Sequence, residues 1–127
     1  MIREGGCLCG SVQVRGRADQ YPYLPLPQLP EGNGIAVFAR ALFDQTALTV
    51  EGETACYPSS EVLDRVFCKI CGTRLFAWRK KPAVAGVALA AFDDRNAFAP
   101  TDHMWVTEKM DWVRLEDGLP KYPGTAP

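Results

Sequence analysis

This chain is short of the residues that most often announce a reaction. It has a single histidine, His103, and five cysteines. A catalytic zinc usually draws on three protein ligands, so one imidazole cannot build such a centre alone. Neither sign of charge is in excess, with Lys+Arg 14 against Asp+Glu 15. That balance removes the electrostatic basis of phosphate-backbone binding, so no nucleic-acid partner is expected. No apolar run approaches the roughly 20 residues of a membrane span, and no membrane association is expected. Met1-Ile2-Arg3-Glu4 leads straight into Gly5-Gly6-Cys7 without the apolar stretch of a secretory signal. The expected location is therefore cytoplasmic and reducing, where clustered cysteines serve as metal ligands or catalytic thiols more often than as disulfides.

What is present is a soluble composition, 47% hydrophobic and 23% charged over 127 residues. It predicts one domain over residues 1–127, with a Gly- and Pro-rich tail at 118–127 expected to be flexible. The most informative stretch is Cys68-Lys69-Ile70-Cys71-Gly72-Thr73. A C-x-x-C pair followed by glycine has the form of a metal knuckle, whose tight turn aims both thiolates at one point. Cys7 and Cys9, near the other end of the chain, can supply two further ligands. In an extended segment residues i and i+2 face one side, which would let both reach the same ion. Four thiolates describe a closed, structural Zn2+ site with one ion per chain and no position left for water or substrate. The competing readings are buried free thiols, disulfides between the pairs, and a redox-active C-x-x-C. The last needs a helix N-terminus to lower the thiol pKa, and the residues after Cys71 read as a strand.

Alternating apolar residues mark most of the chain as strand. Residues 5–15 read as a turn feeding a strand, with Val12 and Val14 inward. Four prolines in residues 21–30 exclude helix and make central-strand pairing unfavourable, so an extended connection against the domain body is expected. A turn at 32–34 precedes a short apolar strand at 35–39, and residues 44–46 turn before a strand at 48–51. Residues 55–57 should pair with 63–67 across Pro58-Ser59-Ser60, and 74–79 continue beyond the knuckle. Residues 83–92 are read as a strand of small side chains, 93–96 as a turn, 103–106 as a strand, and 109–113 as a helical turn or bend.

Gly5-Gly6-Cys7-Leu8-Cys9-Gly10-Ser11-Val12, then Arg65-Val66-Phe67-Cys68-Lys69-Ile70-Cys71-Gly72-Thr73, then His103-Met104-Trp105-Val106 with Trp112, resemble in order and spacing the glutathione-dependent formaldehyde-activating enzyme (Gfa-like) family. The resemblance implies a mainly β fold, the β-tent, whose antiparallel sheets are pinned by a structural four-cysteine zinc site at Cys7, Cys9, Cys68 and Cys71. It also implies carbon–sulfur lyase chemistry on glutathione–formaldehyde adducts. Members of the family normally carry a second cluster, C-H-C-x-x-C, holding a catalytic zinc with an open position. Here that slot falls in residues 21–30, which contain no cysteine, histidine or carboxylate. The Lewis acid of the usual reaction therefore has no side-chain ligands in that slot.

Whether the chain is an enzyme is left open by this departure, and its catalytic residues are unknown from sequence. Cys56 and His103 are weak candidates, needing a carboxylate such as Asp93, Asp94 or Asp102 to complete a metal site. The blander expectations are an inert core or semi-buried thiol for Cys56 and a histidine fixing a strand edge or loop by hydrogen bonds for His103. Arg79-Lys80-Lys81 reads as a solvated turn or a small anion site. Trp78, Trp105 and Trp112 are expected in the core or a pocket wall. The favoured function is a diverged, non-catalytic Gfa-like zinc protein binding a small thiol or glutathione conjugate. The alternatives are a lyase using Cys56 or His103, and a zinc-ribbon-like protein-interaction module using the proline segment. Exposed strand edges leave a homodimer open.

Overall fold

A computed structural model describes residues 2–17, 25–27 (backbone only), 38–81 and 83–124. Sequence expectations for residues 18–24 and 28–37, including the turn at 32–34 and most of the strand at 35–39, lie outside the described residues.

The fold is mainly β, and its two larger sheets are antiparallel throughout. Strands β1 (Ile2–Gly6), β2 (Gln13–Arg17), β3 (Pro25–Pro27), β4 (Arg40–Asp44), β5 (Leu48–Glu51), β6 (Thr54–Pro58), β7 (Leu63–Cys68), β8 (Arg74–Lys80), β9 (Ala83–Ala88) and β10 (Asp102–Met104) follow one another, and among the described residues the helical elements are short 3-10 turns. A three-stranded sheet has the order β1-β2-β5, and a five-stranded sheet the order β4-β9-β8-β7-β6. The pairing of β6 with β7 and of β7 with β8 is the one read from sequence, with Ser59 N–H closing the first turn on Leu63 O at 3.1 Å.

Period-two burial explains the packing. In β2, Val14 and Gly16 point inward while Gln13, Arg15 and Arg17 face solvent. In β4, Ala41 and Phe43 are buried, and a β-carbon on Gly16 would press into the Phe43 ring. The small sheet therefore lies flat against one face of the large one. The core between them is built from Val12, Val14, Phe43, Val66, Phe76 and Val87. Phe43, Phe92 and Phe98 extend it as an aromatic cluster, with ring centroids 5.1 to 6.1 Å apart. Strand β9 lies between β4 and β8 and is buried along most of its length, which is why alanine and glycine suit it.

The structure corrects several expectations. The N-terminal residues form β1, a strand that the sequence reading missed. The strand expected over 83–92 stops at Ala88, because Leu89–Ala91 coil into a 3-10 turn that swings Phe92 onto Gly5 of β1. The strand expected over 103–106 is displaced to Asp102–Met104, since Trp105 is left-handed at φ 54°. Trp112 is 70% exposed rather than a core residue, whereas Trp78 is half-buried. The proline segment contributes Pro25–Pro27 as a parallel partner of β10, an outer position that tolerates missing N–H donors.

Backbone hydrogen bonds join the tail to the domain body as far as Gly124. His103 N–H donates to Pro120 O at 2.8 Å, and Tyr122 N–H donates back to His103 O at 2.8 Å. Trp105 and Val106 N–H donate to Gly124 O and Tyr122 O, each at 3.1 Å. Among the described residues, no helix is long and apolar enough to cross a membrane.

Each such backbone bond contributes about 0.5–1.5 kcal/mol net, so deleting residues 120–127 is expected to lower unfolding stability by about 2–6 kcal/mol. Urea denaturation measures this, and an unchanged midpoint would show that the docked tail contributes nothing.

Candidate metal centre

Two turns meet at one end of the sheets. The first joins β1 to β2 and carries Cys7 and Cys9; the second joins β7 to β8 and carries Cys68 and Cys71. Cys7 and Cys9 do not lie on an extended strand, as the i, i+2 argument supposed. Gly10 N–H donates to Cys7 O at 3.2 Å and Cys7 N–H to Val12 O at 3.1 Å, closing a tight turn. In the second turn Gly72 N–H donates to Cys68 O and Cys68 N–H to Thr73 O, both at 2.9 Å. The two turns are built alike. Each needs a left-handed residue after its second cysteine, and Gly10 (φ 80°) and Gly72 (φ 75°) supply it without the steric cost of a β-carbon.

All four cysteine Sγ atoms lie within 4.8 Å of one another, with Cys7–Cys9 at 3.5 Å and Cys9–Cys68 at 3.8 Å. Four sulfurs each about 2.3 Å from a central ion stand about 3.8 Å apart at the corners of a tetrahedron. The cluster therefore fits a tetrahedral metal ion. Cys68 is fully buried, while Cys9 and Cys71 reach the surface.

The surroundings favour thiolate. Val12 N–H points at Cys7 Sγ at 3.3 Å, and Ile70 and Cys71 N–H point at Cys68 Sγ at 3.3 and 3.4 Å. Ser11 Oγ stands 3.1 Å from Cys9 Sγ and 3.3 Å from Cys68 Sγ. Thr73 Oγ1 accepts Leu8 N–H at 3.1 Å, which leaves its own hydrogen to donate to Cys71 Sγ at 3.0 Å. That hydroxyl, ahead of the Thr73 and Cys9 amides, holds the Cys71 thiol down at about 5. At Cys7 burial pushes upward, but the Val12 amide together with Ser11, Cys9 and Cys68 brings the thiol to about 7. Cys9 moves the other way: Ser11 favours its thiolate, yet burial and competition with Cys7 and Cys71 push it up.

Sequence reasoning gave no role to Ser11 and Thr73. The signal was there, because Cys9-Gly10-Ser11 and Cys71-Gly72-Thr73 place a hydroxyl two residues after each second cysteine.

The weaker candidates lie elsewhere. Cys56 is exposed on β6 and lines an inter-sheet cleft of about 470 Å³ together with Val50, Asp64, Val66, Phe76 and Trp78. His103 is buried, and its Nε2 lies 2.7 Å from Asp117 Oδ2, so its ring fastens the loop before the tail. Asp93 and Asp94 are exposed, and Asp94 lies 3.6 Å from Arg3. Asp102 is buried beside Thr101. Among the described residues, the four-cysteine cluster is the one group of three or more His, Cys, Asp or Glu placed to hold a metal ion.

Residues 2–108 match the glutathione-dependent formaldehyde-activating enzyme family. The chain belongs to this family. The fold is similar to the crystal structure of a Rhodobacter sphaeroides protein solved as a structural-genomics target, with a TM-score of 0.58 and 18% identity. That similarity covers 94% of this chain and 98% of the other. No curated protein matches the chain.

Two outcomes follow for metal binding. The thiolates of Cys7 and Cys71 are present above about pH 7 and about pH 5 and are lost as the pH falls through those values. Metal affinity is therefore expected to fall steeply between about pH 8 and pH 5, as chelator competition would show. Thr73→Val removes both the donor to Cys71 and the acceptor of Leu8 N–H, and is expected to weaken metal binding by about 10-fold or more. Equal affinity in this variant would remove Thr73 from the account.

Proposed function

We propose that this Gfa-like protein holds one structural Zn2+ through Cys7, Cys9, Cys68 and Cys71. We further propose that it has diverged from the lyase reaction and binds a small thiol or glutathione conjugate without turning it over. The observation that carries this reading is the donor set. Four of the five cysteines converge on one tetrahedral site, and residues 21–30 offer no side chain able to hold a second ion.

Thiolate ligands in a tetrahedral array suit zinc, and a saturated set of four leaves no open position for substrate. When bound, such an ion supplies folding free energy, on the order of 10–16 kcal/mol apparent. The chain's own residues prepare the site: amides and hydroxyls hold the sulfurs as thiolates, and the two turns fix their spacing. The conjugate reading is supported by family membership and by the cleft beside Cys56, whose walls at Val66, Phe76 and Trp78 are apolar. A reducing, cytoplasmic setting fits five cysteines that are all free of disulfides.

The lyase alternative would use Cys56 or His103. The Asp117 partner and the burial of His103 favour a positioning role for that histidine.

Metal analysis of the purified protein tests the central claim, with about one zinc per chain expected. Two tightly bound zincs per chain would overturn the loss of a catalytic site. Exchange spectroscopy on S-hydroxymethylglutathione is expected to show no turnover above the uncatalysed rate. Turnover that disappears in Cys56→Ala or His103→Ala would restore the enzyme.

A further inference from the structure

The two antiparallel sheets end in four outer strands, β1 and β5 in the small sheet and β4 and β6 in the large one. Three of these edges are covered or charged. Strand β1 carries Arg3 and Glu4, and Phe92 bridges it at Gly5 while Asp93 N–H donates to Glu4 O at 2.9 Å. Strand β4 begins with Arg40 and ends with Asp44, and β5 ends in Glu51 beside the inter-sheet cleft. Strand β6 differs. Thr54-Ala55-Cys56-Tyr57 has no charge, its pairing with β7 has no bulge, and its one proline, Pro58, stands at the end. Thr54 and Cys56 are exposed, and Tyr57 is 65% exposed. Edge strands of monomeric proteins are normally protected by charge, mid-strand proline, a bulge or a covering segment, and β6 has none of these.

The hydrogen-bond phase of β6 follows from its two ends. Lys69 N–H donates to Glu53 O at 3.4 Å, and Ser59 N–H donates to Leu63 O at 3.1 Å. Bonded and non-bonded pairs alternate along an antiparallel ladder, so Ala55 and Tyr57 also bond β7, opposite Phe67 and Arg65. The N–H and C=O of Thr54 and Cys56, and the C=O of Pro58, therefore point away from the sheet. No hydrogen bond among the described residues takes up these groups.

Such a row is complementary to its own reverse. About a twofold axis at Cys56, the middle residue of the strand, residues 54–58 face residues 58–54 of a second copy. The N–H and C=O groups of the two Cys56 residues then bond each other, and each Thr54 N–H meets the Pro58 carbonyl opposite. Pro58, which has no N–H, falls where its carbonyl is the group required. On the face away from the cleft, Tyr57 of each copy lies beside Ala55 of the other, the largest side chain of the edge against the smallest. We propose that β6 is a dimerisation edge, at which two copies of this chain pair antiparallel and join their five-stranded sheets into one continuous sheet. Neither a thiol ligand nor the metal centre enters this contact, so it stands or falls separately from the proposed function.

A five-residue edge is a small contact, and the dimer is expected to be reversible and concentration-dependent. Analytical ultracentrifugation of the purified chain is expected to show the mass rising from one chain towards two as the concentration is raised to about 1 mM. Cys56→Pro removes the outward N–H at the axis and leaves the bonds to β7 intact. It is expected to weaken the dimer by about 10-fold or more, with folding checked by circular dichroism. Cys56→Lys sets like charges opposite one another and is expected to weaken it by about 5-fold or more, which provides the comparison if the proline variant does not fold. The mass of a single chain at every concentration, or a dimer that the folded variants leave unchanged, overturns the inference.

Discussion

The convergence of four cysteine sulfurs at one end of the sheets is the constraint on which the rest of the arrangement depends. Cys7 and Cys9 belong to the small sheet's hairpin and Cys68 and Cys71 to the large sheet's, so their proximity fixes how the two sheets meet. Hydrogen bonds alone would hold this junction weakly: the direct link between the turns outside the sulfurs is Leu8 N–H to Thr73 Oγ1. A metal ion at the cluster would contribute about as much free energy as the whole net stability of a small domain. The hydrophobic core then determines how the sheets close away from that end, with Phe43 meeting Gly16 and the phenylalanine cluster filling the space beyond.

The junction also separates structure from chemistry. A saturated thiolate site is chemically quiet, because all four corners of the tetrahedron are protein sulfur. On the proposed reading a ligand would use a surface away from the sulfurs, such as the cleft bordered by Cys56. The layer made by β3, β10 and the docked tail is held partly by a buried histidine, whose Nε2 meets Asp117.

The parts legible in the sequence are those where one local rule dominates. The C-x-x-C knuckle between strands, the β6–β7 hairpin and the cysteine foursome follow from spacing and alternation. What escaped depends on distant partners. Leu89–Ala91 leave the strand because Phe92 must reach Gly5, a contact invisible at 83–92. Trp105 ends β10 by a left-handed turn that no residue type there announces. The tail's bonds were not legible either: Pro120 and Gly124 reach β10 and the turn after it through their carbonyl oxygens, which any residue type offers.

The sequence distance between the two turns has a consequence for how the protein is made. Cys7 and Cys9 leave the ribosome when Cys68 and Cys71 have not yet been joined to the chain. At about 5–20 residues per second, some 60 residues of synthesis take about 3–12 seconds. For that interval the newborn chain exposes half a metal site, two adjacent thiols able to capture a stray ion or an oxidant. The first hairpin must therefore wait in the open, and the cell's thiol chemistry reaches it before its own fold does.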